Sequence, residues 1–320
     1  MKKKFIVILL ACFVVALFAE SVPIKMELHW FPQAQFAGFI MAYEQGMYED
    51  AGIDMQLSFS DGVGSPLTKM LDGEIDFCTA WLSQTIALKS EGADILNFCQ
   101  VLQKSSLMLV SKKESGIEKP EDMKGKKISL WSGDFTIQPK AFFNKFQIDY
   151  IPIKQSYNIY GFLAEAWDVA SAMYYNEYYK MILSGANEDE LNKFFFSDYD
   201  LNFPEDGIYT TNKTYTKNPE LTHKICEISL KGWEFAFQNE EETLITILKY
   251  CDEYKMQTNY AAQKWMLNVI EESIKYQTGE KRTSWGNLKE DDYYKVAEIL
   301  KQQGIIKKIP TYSDFYRSGE

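Results

Sequence analysis

Apolar and polar positions alternate at Ile24-Lys25-Met26-Glu27-Leu28-His29, the two-residue period of a half-buried strand. The strand runs into a loop, Trp30-Phe31-Pro32-Gln33-Ala34-Gln35. A helix is predicted from Phe36 to about Gln45, stopped by Gly46. Alternation returns at Ile53, Met55, Leu57 and Phe59. A turn, Asp61-Gly62-Val63-Gly64-Ser65-Pro66, opens a second helix through about Leu71. Asp76 to Ala80 reads as a strand, Trp81 to Lys89 as a helix, and Ile95–Leu102 and Leu107–Val110 as further strands. Strand and helix in alternation are the mark of an open α/β sheet.

Lys112 to Lys127 is polar and turn-rich, and is predicted as the crossing to a second lobe. A second α/β series then begins. It has strands at Lys127–Trp131, Tyr150–Ile153 and Val169–Tyr174, and helices near Pro139–Phe146 and Ile159–Glu165. Gly207–Thr211 is β-rich and is predicted to return to the first lobe. From Asn218 onward the apolar spacing is helical, through Leu221, Ile225, Ile228 and Trp233. The expected division is therefore 22–111 with 206–320 for the first lobe and 112–205 for the second. The C-terminal helices are expected to pack on the first lobe. Two such lobes joined by two crossings enclose a cleft at the strand ends, where open α/β sheets bind ligands.

The N-terminal pattern is different. Lys2, Lys3 and Lys4 precede an apolar run from Phe5 to Phe18, and Ala19-Glu20-Ser21 restores polarity. This reads as a secretory signal over residues 1–21, cleaved after Ala19 or Ser21. Two other readings stand beside it. Leu9-Leu10-Ala11-Cys12 resembles a lipobox with Cys12 as a lipid anchor, and an uncleaved segment would tether the chain to a membrane. The expected localisation is periplasmic or otherwise extracytoplasmic.

The 45 acidic and 34 basic residues leave a net charge of −11, which argues against a nucleic-acid partner. Aromatic residues make up 15% of the chain, with 7 Trp, 20 Tyr and 21 Phe, enough to wall a cleft as well as fill a core. The histidines are only two, His29 and His223, and the cysteines have no short ligand spacing, so no metal centre is expected. Cys78 and Cys99 sit in apolar runs and read as small core residues. One disulfide is compatible with an oxidising compartment, but the spacing selects no pair.

Several residues stand where strands end. Trp30 follows the first strand directly, with Gln33 and Gln35 able to donate and accept toward a heterocycle; the bland reading is a loop with Trp30 filling a core gap. Gly62-Val63-Gly64-Ser65 could offer backbone N–H groups to an anion or be a plain turn. Trp81 and Trp131 are candidate stacking platforms, Tyr160 and Tyr175 weaker ones, and each could equally be core.

The run Trp30-Phe31-Pro32-Gln33, Gln35-Phe36-Ala37-Gly38, Gly46-Met47-Tyr48 and Ala51-Gly52-Ile53 resembles the opening of the NMT1/THI5-like group of substrate-binding proteins. Leu71-Asp72-Gly73-Glu74-Ile75-Asp76-Phe77, Pro120 to Ile128, Tyr175-Asn176-Glu177 and Asp206-Gly207-Ile208 resemble later segments of that group, in order. The resemblance covers about residues 24–315. It implies an α/β, type 2 periplasmic-binding-protein fold with a hinge and a ligand cleft, and ligands that are often thiamine-precursor pyrimidines of the hydroxymethyl or formylamino type. It also implies that Glu177 meets the aminopyrimidine edge, as a carboxylate can accept two N–H donors side by side. The bland reading of Glu177 is a charge that favours a helix start.

The ligand-facing set expected from residues and resemblance together is Trp30, Gln33, Gln35, Phe36, Ser65, Trp81, Gln84, Trp131, Tyr160, Tyr175, Asn176 and Glu177. No cofactor is expected. The group also contains a pyrimidine synthase that uses a lysine, a histidine and a cysteine-rich segment. Here Ala80 stands in the lysine's place and Gln84 in the histidine's, and alanine has no amine for a Schiff base. The expectation is a monomeric binding protein that delivers a small heterocycle to an ABC permease. A ligand sensor for a membrane signalling partner, or a riboflavin-type ring as ligand, are the alternatives. The Gln-Ala-Gln-Phe-Ala-Gly loop departs from the group's usual Asn and His there, which puts the ligand in doubt. Arginine is scarce (Arg282 and Arg317 stand near the C-terminus), which ranks sulfonates low.

Overall fold

A computed structural model describes residues 21–62, 64–156, 158–276 and 284–318. The signal segment apart from Ser21, with Cys12, lies outside them, as do Val63 and Arg282. The first sheet contains β1 (Val22–Leu28), β2 (Ile53–Phe59), β3 (Phe77–Trp81), β4 (Leu96–Gln100) and, much later in the chain, β10 (Asp206–Thr210), in the order β2-β1-β3-β10-β4. The second contains β5 (Leu107–Lys112), β6 (Lys127–Leu130), β7 (Ile151–Lys154), β8 (Val169–Met173) and β9 (Leu191–Phe195), in the order β7-β6-β8-β5-β9. In each sheet four strands run in one direction and the strand that arrives from the other lobe runs antiparallel to them: β10 between β3 and β4, β5 between β8 and β9.

Helices α1 (Ala37–Glu44), α2 (Pro66–Asp72) and α3 (Leu82–Ser90) belong to the first lobe. Helices α4 (Ile137–Phe146), α5 (Tyr160–Leu163) and α6 (Glu177–Leu183) belong to the second. The C-terminal region is helical: α7 (Asn212–Lys217), α8 (Pro219–Gln238), α9 (Glu240–Glu253), α10 (Tyr260–Lys275), α11 (Glu290–Gln302) and α12 (Tyr312–Phe315). Helix α8 lies on α1 at unusually close range. A Cβ on Gly232 would stand 2.0 Å from the Gly38 carbonyl oxygen, and one on Gly38 would stand 2.2 Å from the Trp233 ring. Both glycines let the backbones approach. Among the described residues no helix is long and apolar enough to cross a membrane.

The expected lobe boundary needs correction. Strand β5 was placed in the first lobe, but it lies inside the second sheet, flanked by β8 and β9 on both edges. The chain therefore crosses at Gln103–Ser106, not at Lys112–Lys127, which forms short turns within the second lobe. An apolar run announces a buried strand without saying which sheet will take it. Strand β9 was not foreseen. It is the edge strand beside β5, with mixed burial that blurs the period. The C-terminal helices pack on the first lobe as expected through α8, but α10 touches both lobes. Gln263 Oε1 accepts from the Ala34 N–H of the first lobe at 2.7 Å, and the Trp265 ring stacks on Tyr179 of α6 at 4.7 Å.

The second crossing runs through Leu201–Glu205, and the two crossings are tied together. Glu205 Oε1 accepts from Ser105 Oγ at 2.9 Å and from the Ser106 N–H at 2.7 Å. Asn202 joins the same tie, donating from Nδ2 to the Gln103 carbonyl at 2.9 Å and accepting from the Ser105 N–H at 3.0 Å. Burial and the neighbouring Asp206 push the Glu205 carboxyl up to about 8. Cys99 of β4 is bonded to Cys226 of α8, which ties the first sheet to the helix that backs it. Cys99 is thus core, as expected, but not a free thiol.

Candidate functional site

A cavity of about 940 Å³ lies between the lobes. It sits at the upper end of the ~300–1,000 Å³ common for small-molecule clefts. Its position follows from strand direction. The carboxyl ends of β1, β3, β6, β7 and β8 all point to it, delivering Trp30, Trp81, Trp131, Lys154 to Ser156, Met173, and Tyr175 to Glu177. Because β10 is antiparallel, its amino end arrives at the same end of the sheet and brings Asp206 behind Gln35.

Eight of the twelve expected residues line this cleft: Trp30, Gln33, Gln35, Trp81, Trp131, Tyr175, Asn176 and Glu177. Four do not. Phe36 is fully buried, packed edge-on against His29 at 5.2 Å. Ser65 is exposed at the start of α2 and caps it with no side-chain hydrogen bond. Gln84 faces away along α3, half-buried, because one helical turn carries it past the cleft after Trp81. Tyr160 is 71% exposed on the outside of the second lobe. The glycine turn contributes Gly62, not Ser65; its Val63 lies outside the described residues.

The aromatic walls include one residue that sequence reasoning missed. Phe135 packs edge-to-face against Trp81 at 4.6 Å and against Trp131 at 5.4 Å, linking an indole of the first lobe to one of the second. It sits in a short helical turn, Gly133–Thr136, with no periodic pattern to single it out. Trp131 is held by its indole N–H, which donates to the Ser156 carbonyl at 3.3 Å. Trp30 meets Phe31 edge-on at 5.5 Å. His29, Lys154, Lys180, Gln263 and Met266 also line the cleft and were not foreseen.

Glu177 is 6% exposed. Oε2 accepts from the Met173 N–H at 3.1 Å and Oε1 from Asn176 Nδ2 at 3.0 Å. Burial raises its carboxyl above the usual range, against the opposing pull of Lys180. Glu177 starts α6 and is among the residues that line the cleft. On the opposite side Gln35 Nε2 donates to Asp206 Oδ2 at 2.8 Å, and Asp206 Oδ1 lies 3.5 Å from His29 Nε2. Burial lowers the His29 pKa and raises that of Asp206. His29 Nδ1 meets Thr79 Oγ1 at 2.8 Å, and Thr79 Oγ1 also accepts from the His29 backbone N–H at 3.0 Å.

A family model described as NMT1/THI5 like matches residues 33–243. The chain belongs to the NMT1/THI5 like family. It is 19% identical over 267 residues to the formylaminopyrimidine-binding protein of Halalkalibacterium halodurans, covering 80% of this chain and 79% of that one. In fold it is similar to the periplasmic aliphatic sulphonate binding protein SsuA of Escherichia coli, with a TM-score of 0.72 and 11% identity over 91% of both chains. It is also similar to the alkanesulfonate-binding protein SsuA of Xanthomonas axonopodis pv. citri bound to MOPS, with a TM-score of 0.65, 12% identity, and coverage of 94% of this chain and 100% of that one. The fold is that of the periplasmic binding proteins. The names of these relatives are those of binding proteins.

Proposed function

We propose that the chain is the solute-binding component of an ABC importer, working outside the cytoplasm as a monomer. It captures an aromatic heterocycle of the aminopyrimidine class, such as hydroxymethylpyrimidine or formylaminopyrimidine. The observation that carries this reading is the pairing of indole walls from both lobes with one buried carboxylate, Glu177, between them. Flat rings gain from edge and face contacts with indoles, about 0.5–1.5 kcal/mol per pair beyond area burial. A desolvated carboxylate rewards paired N–H donors. Trp30, Trp81 and Trp131 are assigned to the ring, and Glu177, steadied by Asn176, to its amino edge. The named ligand of the Halalkalibacterium relative is of this class.

The sulfonate ligands named for the structural neighbours fit this cleft less well. None of the described residues lining it is an arginine, and the buried lining charge is the acidic Glu177. Lys154 and Lys180 are the cations of the lining.

Thermal shift and calorimetry with hydroxymethylpyrimidine, formylaminopyrimidine, riboflavin and an alkanesulfonate test the proposal. The pyrimidines should raise the melting temperature, and Glu177→Gln should weaken them by about tenfold or more, as expected for a charge-assisted bond of ~1.5–3 kcal/mol. Stabilisation by the sulfonate or riboflavin alone would refute it.

A further inference from the structure

The cleft is large for one pyrimidine ring, and hinge closure does not take up the difference. The two lobes already touch at three points. Phe135 of the second lobe packs on Trp81 of the first at 4.6 Å. Helix α10, held to the first lobe by Gln263 on the Ala34 N–H, stacks Trp265 on Tyr179 of the second at 4.7 Å. Gln303 follows α11, which shares a core with α3 of the first lobe, and donates from Nε2 to the Ile137 carbonyl of α4 at 2.8 Å. Further closure has to push through these contacts, so the 940 Å³ is the space between lobes that already meet. Clefts of that size hold drug-sized molecules, whereas a lone aminopyrimidine has about ten non-hydrogen atoms.

Part of the surplus runs along α6 beyond Glu177. Lys180 and Leu183 of that helix also line the cleft, so its lining continues past the carboxylate for about 9 Å at 1.5 Å per residue. From α10 the lining residues are Ala262, Gln263 and Met266, whose spacing puts them on one helix face. The stack of Trp265 on Tyr179 sets the two helices beside each other, and their lining faces make a groove that extends the ring site. Its walls are largely apolar. Leu183 is 48% exposed, and Tyr179, Met256 and Ala262 are half-buried against the same cavity. Such walls gain free energy when an apolar group displaces water from them. Lys180, on the same stretch of α6, disfavours a cation there.

We propose that this groove is a second subsite, and that the preferred ligand is an aminopyrimidine carrying a neutral apolar group of about one ring on a short linker. The inference rests on the aminopyrimidine reading above and extends it. The amino edge meets Glu177, and the second group lies between Leu183 of α6 and Ala262 of α10. Affinity then grows with the apolar area that the second group buries.

Calorimetry on the full mature chain compares hydroxymethylpyrimidine with the analogue in which a phenyl group replaces its hydroxyl. The wild type should bind the phenyl compound about tenfold more tightly or better, a gain of ~1.4 kcal/mol that needs only about 60 Å² of apolar surface removed from water. Leu183→Ser takes an apolar wall from the groove at an exposed position, where the fold tolerates the change. Ala262→Trp fills the groove from the other helix. The ratio of the two affinities should fall by about threefold or more in Leu183→Ser and to about one in Ala262→Trp. A fall in either variant supports the second subsite. A ratio unchanged in both overturns it, as does a wild type that binds the phenyl compound no more tightly than hydroxymethylpyrimidine. If that wild type still binds hydroxymethylpyrimidine, the proposed function stands and only the subsite is lost; if it binds neither compound, both fall.

Discussion

The bond between Cys99 and Cys226 gives a stability prediction whose size follows from the fold. The two residues are 127 positions apart, with Cα atoms separated by 5.7 Å. In the chain-entropy account, closing a loop that long removes about 17 cal/mol/K from the unfolded ensemble, or ~5 kcal/mol at 25 °C, and measured bonds commonly deliver 2–4 kcal/mol. Native packing supports the bond. Gly286, with φ at +77°, lies so close that an added Cβ would stand 3.1 Å from one sulfur and 3.2 Å from the other. The double variant Cys99→Ala with Cys226→Ala should therefore lose ~3–5 kcal/mol. With a urea slope of ~3 kcal/mol/M the unfolding midpoint should drop by roughly 1–1.7 M, and the slope itself should rise because the unfolded chain opens further. Urea titration followed by tryptophan fluorescence measures both. Ligand affinity should stay unchanged, since the bond lies behind the first sheet and away from the cleft residues. Equal midpoints and slopes for the oxidised wild type and the variant would refute the argument.

Three further outcomes are expected. Gly232→Ala drives a Cβ into the Gly38 carbonyl, so α8 must move off α1, and the loss should be about 3 kcal/mol or more in the same titration. The Glu205 carboxyl, raised to about 8, holds a proton in the folded chain that the unfolded chain gives up near pH 4.5. Stability should therefore fall as pH rises from about 4.5 to 8, with up to ~1.4 kcal/mol per pH unit owed to this group, and Glu205→Gln should flatten that slope. Trp265→Ala removes the stack on Tyr179 and the indole bond to the Tyr174 carbonyl at 2.9 Å, which join α10 to the second lobe. The ligand-free protein should then show a larger radius of gyration by small-angle scattering, and an unchanged radius would mean that α10 does not hold the lobes.

The family glycine in the Gln35-Phe36-Ala37-Gly38 run illustrates how motif and structure divide the information. As sequence it was one letter in a resemblance. In the fold it is the point where α1 admits the Trp233 ring and the Gly232 backbone. The same holds for Asp206, one letter of the return-crossing segment in the resemblance and, in the fold, the buried acceptor for Gln35 Nε2.

What the sequence determined by itself was local and periodic. The alternation at 24–29 and 53–59 marked strands, although Glu27 on the polar side of the first is buried too, and the strand–helix rhythm marked an α/β fold. The residues just after strands, Trp30, Trp81, Trp131 and Tyr175, were candidates because strand ends are where such sheets bind. What only the tertiary structure decided was adjacency. A two-residue period says which face is buried but not which strand lies alongside, so β5 went to the second sheet. Cys99 found a partner on a distant helix for the same reason. Side-chain direction at an irregular turn has no period to read, so Phe135 entered the cleft unannounced while Tyr160 and Ser65 turned away. The cleft is built from pairings between residues far apart in the chain, and those are set by packing, which no local pattern encodes.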